Sequence, residues 1–351
     1  MIRTRSAPAA AAALLALAAC APPPPAATGP VVFTAPSAAL PLDARWGLVV
    51  HGGAGAMSRA AFTPEREAAY HAALERALRA GHAVLDRGGP SLEAVEAAIR
   101  TMEADTLFNA GRGAVITADG RIELDASIMD GATLRAGAVA GVQRVRDPIT
   151  LARTVMERSP HVMLIGEGAE HFATEQGLAL VEPEHFWTGT RRAQWERMRQ
   201  QPRSAAPEDE ADRKLGTVGA VALDRQGNLA AGTSTGGMMM KRWGRVGDVP
   251  VIGAGTYADN RSCAVSATGH GEFFIRNTVA RSICALMEYG GLSLEAAADS
   301  VVMRQLVAQE GEGGVIAMDR LGNWTMPFNS SGMFRGRIGA DGRAETSIFR
   351  D

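Results

Sequence analysis

Thr217 is the residue around which the chemistry of this chain can be built. It follows Gly216 at the end of a charged, turn-rich run over residues 203–214 and opens the apolar stretch Val218-Gly219-Ala220-Val221-Ala222-Leu223. A threonine hydroxyl is a weak nucleophile until a base removes its proton. A free α-amino group, with a pKa of about 7.7–8, can be that base at neutral pH. As an amide the same nitrogen cannot serve. The boundary therefore predicts that the Gly216–Thr217 bond is cut by the protein itself, making Thr217 a new N-terminus and nucleophile. Glycine before it leaves the carbonyl open to attack and tolerates a strained backbone. A Gly-Thr pair alone more often just opens a buried strand, so the weight comes from its surroundings.

Three stretches downstream supply partners. Thr233-Ser234-Thr235-Gly236-Gly237 ends a strand in hydroxyls, and Thr235 is placed to orient the Thr217 hydroxyl or amine. Gly244-Arg245-Val246-Gly247-Asp248 sets a cation and an anion three residues apart on a glycine-flexed loop. Arg245 suits a substrate α-carboxylate, since a guanidinium matches it bidentately, and Asp248 suits an α-ammonium. Thr268-Gly269-His270-Gly271-Glu272 opens a helix without bulky neighbours. The Thr268 hydroxyl and the Gly269 N–H suit an oxyanion hole, and Gly271 lies on the substrate side. Read alone, Arg245 and Asp248 form a surface ion pair of little worth. His270 is expected near the site without a proton-transfer role, and Met238-Met239-Met240 are expected to pack rather than bind.

The elements that must hold these residues read as mixed. Trp46 to His51 suits a buried strand, followed by a glycine turn, Gly52-Gly53-Ala54-Gly55, that lacks any phosphate-binding signature. Thr63-Pro64 caps a helix running to Asp86, and Ser91 opens a second with its own cap. Gly290 to Ala296 echoes Gly88 to Ala94, which predicts similar capping on both sides of Thr217. The loop 108–113 runs into a strand that turns at Asp119-Gly120 into a second strand over 122–131. Strand continues over 136–142, and a helix is expected over 148–157. Later strands are expected near 218–223, 229–233, 251–254, 263–267, 314–318 and 323–326, with helices over 272–289 and 293–308. Paired antiparallel strands with helices in blocks indicate an α+β architecture.

Before all this the chain carries an address. Arg3 and Arg5, an apolar run over 7–19 and Leu17-Ala18-Ala19-Cys20 describe a bacterial lipoprotein signal, residues 1–19, with Cys20 as the lipidated N-terminus. The core is too short to span a bilayer. Residues 20–45 read as a Pro/Ala-rich tether, 46–216 and 217–351 as the two chains of one domain, and 202–216 as a flexible linker. The expected protein is exported, periplasmic and lipid-anchored. A formal charge of −2, lowered further once Arg3 and Arg5 leave, with no basic cluster, excludes nucleic acid as a partner. Cys263 and Cys284 can pair in an oxidising compartment or stay as two buried thiols.

The motifs His51-Gly52-Gly53-Ala54-Gly55, Leu107 to Gly111, Glu123 to Ala126, Met129-Asp130-Gly131, Gly216 to Asp224, Thr233 to Gly237, Gly244 to Asp248 and Thr268 to Glu272 stand in one order. Together they resemble the plant-type asparaginase/isoaspartyl peptidase family of N-terminal nucleophile hydrolases. The resemblance implies a four-layer αββα sandwich, autocleaved before Thr217 into α and β chains. It implies attack by Thr217 on the side-chain carbonyl of L-asparagine or a β-aspartyl peptide, with no catalytic cofactor. Thr235, Thr268, Gly269 and Asn109 would serve the reaction, and Arg245, Asp248, Gly269 and Gly271 the substrate. It further implies a structural sodium ion on backbone carbonyls of Met102, Glu103, Asp105, Phe108, Ala110 and Arg112, and a homodimer of αβ units. Two alternatives are a glycosylasparaginase-like amidase and an anchored, non-catalytic binding lipoprotein.

Overall fold

The computed structural model describes Met1 and residues 45–55, 57, 59–200 and 216–350. The expected signal, Cys20, nearly all of the tether and most of the linker lie outside the described residues. The larger sheet has eight strands in the order β12-β11-β1-β5-β6-β2-β3-β4. In chain order these are β1 Gly47–Gly55, β2 Leu124–Asp130, β3 Ala136–Val142, β4 Met163–Ile165, β5 Val218–Leu223, β6 Leu229–Thr235, β11 Gly332–Gly339 and β12 Ala344–Phe349. A four-stranded sheet, in the order β10-β9-β8-β7, holds β7 Thr256–Ala258, β8 Cys263–Gly269, β9 Gly313–Asp319 and β10 Trp324–Thr325. Neighbouring strands pair antiparallel except β3 with β4.

Successive side chains of a strand point to opposite faces, and here both faces are apolar. Leu48 and Val50 of β1 and Ala220 and Ala222 of β5 join one core with Leu74 and Leu78 of α1 (Pro64–Asp86) and Val95 and Ile99 of α2 (Ser91–Glu103). Ile149 and Val155 of α3 (Pro148–Arg158) belong to it too. Val49 and Val221, one residue out of phase, join Ala264, Ile316 and Met318 in a second core made by both sheets. Val265, Ala267, Val315 and Ala317 form a third with Phe274, Ile283 and Val302. The near-continuous apolar runs of β1 and β5 follow from this double burial.

Several expected elements come out differently. The glycine turn after His51 is strand: β1 runs on to Gly55 with a register shift between His51 and Gly53. Gly52 permits this, because a Cβ there would fall 2.4 Å from the Phe108 ring. The stretch after Gly113 turns at Gly120 as expected but is not a strand up to Thr117. Residues 251–254 form turns, with one bridge from Ile252 to Thr256. The helix expected over 272–289 is two, α6 (Gly271–Asn277) and α7 (Val279–Glu288), broken where Thr278 takes the left-handed conformation at φ 43°. The next is a short α8, Leu294–Asp299, continuing as a π-helix over Ser300–Leu306, where the Val302 carbonyl accepts from the Asn329 side chain.

Ser91 is not a cap. Pro90 holds that position, and the Ser91 N–H donates to Asp224 Oδ2 at 3.0 Å from the turn after β5. Ser293, its echo, does cap α8 by accepting from the Ala296 N–H. Strands β11 and β12, and everything between residues 160 and 200, went unforeseen. That span holds β4, α4 (Gly166–Glu175) and α5 (Gly189–Gln200). Cys263 and Cys284, left open by the sequence, form a disulfide between β8 and α7.

Candidate active site

Strand register brings the hydroxyls together. Val218 pairs with Ser234, so Thr217 comes beside Thr235 at the end of β6, and the Thr217 hydroxyl donates to Thr235 Oγ1 at 3.1 Å. Thr235 Oγ1 also accepts the Gly237 N–H at 3.0 Å. Asn109 binds the same corner. Its Nδ2 donates to the Gly237 carbonyl at 2.7 Å, its Oδ1 accepts from the Val115 N–H, and its backbone N–H donates to the Gly216 carbonyl at 3.3 Å. Thr268 and Gly269 end β8 on the opposite side, with the Thr268 hydroxyl accepting from the Ala54 N–H. Asn109, Gly216, Thr217, Thr235, Gly237, Thr268 and Gly269 line one pocket with Met238, Arg245, Gly247, Asp248, Val249 and His270.

The Gly216–Thr217 bond is tightly held. Gly216 has φ 46° and Gly53 has φ 113°, and the two backbones press together. A Cβ on Gly216 would fall 2.4 Å from Gly53 Cα, and one on Gly53 would fall 2.1 Å from Gly216 Cα. Neither position admits a side chain. The bulge in β1 thus has a purpose at the site, which the sequence reading of 52–55 as packing glycines did not reach.

The charged wall is arranged unlike the simple pair its spacing suggested. Arg245 donates through Nε and Nη2 to the two Glu272 oxygens at 2.9 and 3.0 Å, and does not pair with Asp248. This holds the Glu272 carboxyl below its usual range, chiefly through the Arg245 hydrogen bonds. Asp248 is 4% exposed, and its Oδ2 is buried without a hydrogen-bond partner. Burial pushes its pKa up to about 7 in spite of the Arg245 charge. Gly271 stands behind this pair, where a Cβ would lie 2.8 Å from Arg245 Nη2 and 2.9 Å from Asp248 Oδ1. It supports the two side chains from behind. Of the three methionines, Met239 packs into the core and Met240 against it, whereas Met238 lines the pocket.

The carbonyl loop runs from the end of α2 to a 3-10 turn at Gly111–Gly113. Here the backbone folds onto itself. A Cβ on Gly111 would fall 2.2 Å from the Glu103 carbonyl oxygen, and one on Gly113 would fall 2.0 Å from that of Phe108. The acidic side chains of the loop are engaged elsewhere. Asp105 pairs with Arg76 at 2.7 Å, and Glu103 Oε1 accepts from the Ile149 N–H and the Ser234 hydroxyl. Burial raises the Glu103 pKa to about 8. Among the described residues no group of three or more His, Cys, Asp or Glu side chains is placed to hold a metal.

Some buried polar groups near the site were not anticipated. Lys241, 7% exposed, donates to the Glu123 carbonyl at 3.1 Å, and Asp125 is fully buried, cross-strand from Thr235. His51, read only as the end of a strand, is buried under the nucleophile with Nδ1 3.1 Å from the Thr217 carbonyl. A lone lysine after three methionines was the one signal available for the first, and nothing marked the others.

With this geometry in hand, comparison with known proteins is specific. A family profile described as asparaginase matches residues 44–348. A Salmonella typhimurium protein named isoaspartyl peptidase is 53% identical over 309 residues, covering 87% of this chain and 98% of its own. An Escherichia coli protein of the same name is 52% identical, covering 87% and 96%. An Arabidopsis thaliana protein named probable isoaspartyl peptidase/L-asparaginase 2 is 42% identical over 326 residues, covering 87% and 99%. The chain belongs to the plant-type asparaginase/isoaspartyl peptidase family.

Proposed function

We propose that the protein is a self-cleaving threonine hydrolase that releases L-aspartate from β-aspartyl (isoaspartyl) peptides and L-asparagine. The observation that carries this is the Thr217 hydroxyl, 3.1 Å from Thr235 and preceded by a glycine of left-handed φ, in a pocket shared with Arg245, Asp248, Thr268 and Gly269. In self-cleavage Thr217 Oγ attacks the Gly216 carbonyl carbon, whose oxygen already receives the Asn109 N–H. The peptide C–N bond breaks as an ester forms, and water releases a Gly216 carboxylate and a free Thr217 amine. That amine is then the base the hydroxyl needs.

In turnover, Oγ attacks the substrate's side-chain carbonyl while its proton passes to the α-amine. Thr268 Oγ1 and the Gly269 N–H stabilise the oxyanion. The proton then goes to the departing amine, and water hydrolyses the aspartyl ester. With its Nε side on Glu272, Arg245 keeps Nη1 for the substrate carboxylate, and the unpartnered Asp248 Oδ2 takes the α-ammonium. Thr235 holds the nucleophile's hydroxyl.

The alternating cores support an αββα sandwich split into chains 46–216 and 217–351. The tight 102–113 loop, with its carboxylates occupied elsewhere, supports a structural sodium on the carbonyls of Met102, Glu103, Asp105, Phe108, Ala110 and Arg112. Hard cations prefer such oxygen ligands. The Cys263–Cys284 disulfide favours an oxidising compartment and so supports export, with Cys20 as the lipid anchor. The expected assembly is a homodimer of αβ units.

Intact mass and N-terminal sequencing, beside Thr217→Ala, test the reading. Wild type should yield two fragments, the shorter beginning Thr-Val-Gly-Ala, and hydrolyse a β-aspartyl dipeptide and L-asparagine. A lasting single chain in wild type would sink it. Preference for glycosylated asparagine would move it to the glycosylasparaginase-like alternative.

A further inference from the structure

Beneath the pocket a row of fully buried polar side chains crosses the core between the two sheets. His51 Nδ1 lies 3.1 Å from the Thr217 carbonyl, and Nε2 lies 3.0 Å from Ser266 Oγ on β8. From Ser266 the contacts pass to Thr233 on β6 at 2.7 Å, then to Thr256 on β7 at 2.5 Å. They continue to Ser127 on β2 at 2.8 Å and end on the Val249 carbonyl at 2.5 Å. One end is therefore the nucleophile's own residue, and the other is the residue after Asp248. Gly219 leaves the room for this row: a Cβ there would fall 2.0 Å from Ser266 Oγ and 2.4 Å from His51 Nε2.

The hydrogens along the row are nearly forced. Both ends are carbonyl oxygens, which only accept. Complete burial pushes the His51 pKa down to about 3, so the ring is neutral with a single N–H. That hydrogen belongs on Nδ1, facing Thr217, which makes Nε2 the acceptor for the Ser266 hydroxyl. At the far end Ser127 donates to Val249. The hydroxyls of Thr233 and Thr256 are then left to fill the three contacts joining Ser266 to Ser127, one hydrogen too few. Thr233 is also within 3.2 Å of the Gly255 carbonyl. Hydroxyl rotation moves the gap along the row, so a change at either end can be passed to the other.

We propose that His51, Ser266, Thr233, Thr256 and Ser127 form a positioning relay. It couples the Thr217 carbonyl to the segment carrying Asp248, so that seating the substrate's amino group and aligning the nucleophile are one event. This rests on the hydrolase reading above.

The test is a double-mutant cycle on self-cleaved protein with a β-aspartyl dipeptide. Ser127 is separated from Thr217 by four side chains of the row. Ser127→Ala should nonetheless lower kcat as well as raise KM, about tenfold in kcat/KM, the loss expected for one buried hydrogen bond. His51→Asn should cost at least as much, and the double variant no more than His51→Asn alone. Thr233→Ser should retain activity while Thr233→Val behaves like Ser127→Ala. A kcat within twofold of wild type in folded Ser127→Ala, or losses that multiply in the double variant, would overturn the relay. Nitrogen-15 NMR of wild-type His51 needs no variant to fold and should find the hydrogen on Nδ1; finding it on Nε2 overturns the relay too. Wild type that leaves β-aspartyl substrates intact defeats the hydrolase reading instead, and the tautomer measurement still judges the row.

Discussion

The two walls of the pocket are made of opposite materials. On one side Thr217, Thr235, Thr268 and Asn109 are neutral, and their hydrogen bonds run to one another and to backbone groups. On the other side Arg245, Glu272 and Asp248 are charged groups set in or near a buried corner. The difference teaches a division of labour. A nucleophile with its own amine needs no ionised side chain beside it, and a nearby charge would disturb that amine's pKa. Binding an amino acid's carboxylate and ammonium needs full charges, and these stand across the pocket from the bond to be broken.

Changing the neutral wall should have the largest effect. Thr217→Ala removes both the nucleophile and the peptide that must be cut, so no second chain forms and hydrolysis falls by about 10⁴-fold or more. Quantitative mass spectrometry and a dipeptide assay check this together. Residual cleavage in that variant would mean that the neutral wall does not carry the chemistry.

On the charged wall the expected loss is in binding. Arg245→Leu leaves a substrate carboxylate without its charge-assisted partner, which costs about 2–3 kcal/mol, or roughly 10²-fold in KM. Steady-state kinetics should find kcat changed far less. An equal fall in kcat would erase the proposed division between the walls.

Much of this contrast was legible in the sequence, and for a physical reason. Thr217, Thr235, Arg245, Asp248 and Thr268 lie on strand ends or glycine-flanked loops, where residue type and spacing carry the signal. What stayed hidden depends on distant partners. Glu272 rather than Asp248 takes Arg245 because the helix start at Gly271 brings it there, a three-dimensional fact. His51 read as strand because its partners lie on four other strands. Ser91 read as a cap because its true partner, Asp224, is 133 residues away. Strand β11 escaped because glycine and arginine interrupt its apolar alternation, although Arg337 pairs neatly with Glu345 on β12.

The pH dependence sharpens the comparison further. Asp248 must be ionised to hold an ammonium, and burial places its folded pKa at about 7. KM should therefore fall as pH rises from about 6 to 8, while kcat rises over a similar range as the Thr217 amine loses its proton. Asp248→Asn should raise KM about tenfold and flatten its pH dependence, leaving that of kcat in place. Stability should move the other way. Because folding raises this carboxyl's pKa, the folded state binds a proton more tightly than the unfolded chain between about pH 4 and 7. Stability contributed by the protonated form is lost as pH rises through that window, and thermal melts of wild type should show a decline that Asp248→Asn reduces.

The smallest effect is expected at Glu272. Its side chain is 54% exposed, and an ion pair of that kind contributes about 1 kcal/mol or less in spite of its two hydrogen bonds. Arg245 has a second means of support. Its guanidinium lies against Gly247 and Gly271, where a Cβ would come within 2.8 Å of Nη1 and Nη2 respectively. Glu272→Gln should therefore change KM by less than about threefold, far below Arg245→Leu, and leave kcat alone. The glycine contacts then become the stronger constraint, so Gly271→Ala should raise KM more than Glu272→Gln does. If the order is reversed in steady-state kinetics, the charged wall is held in place by its carboxylate rather than by the backbone behind it.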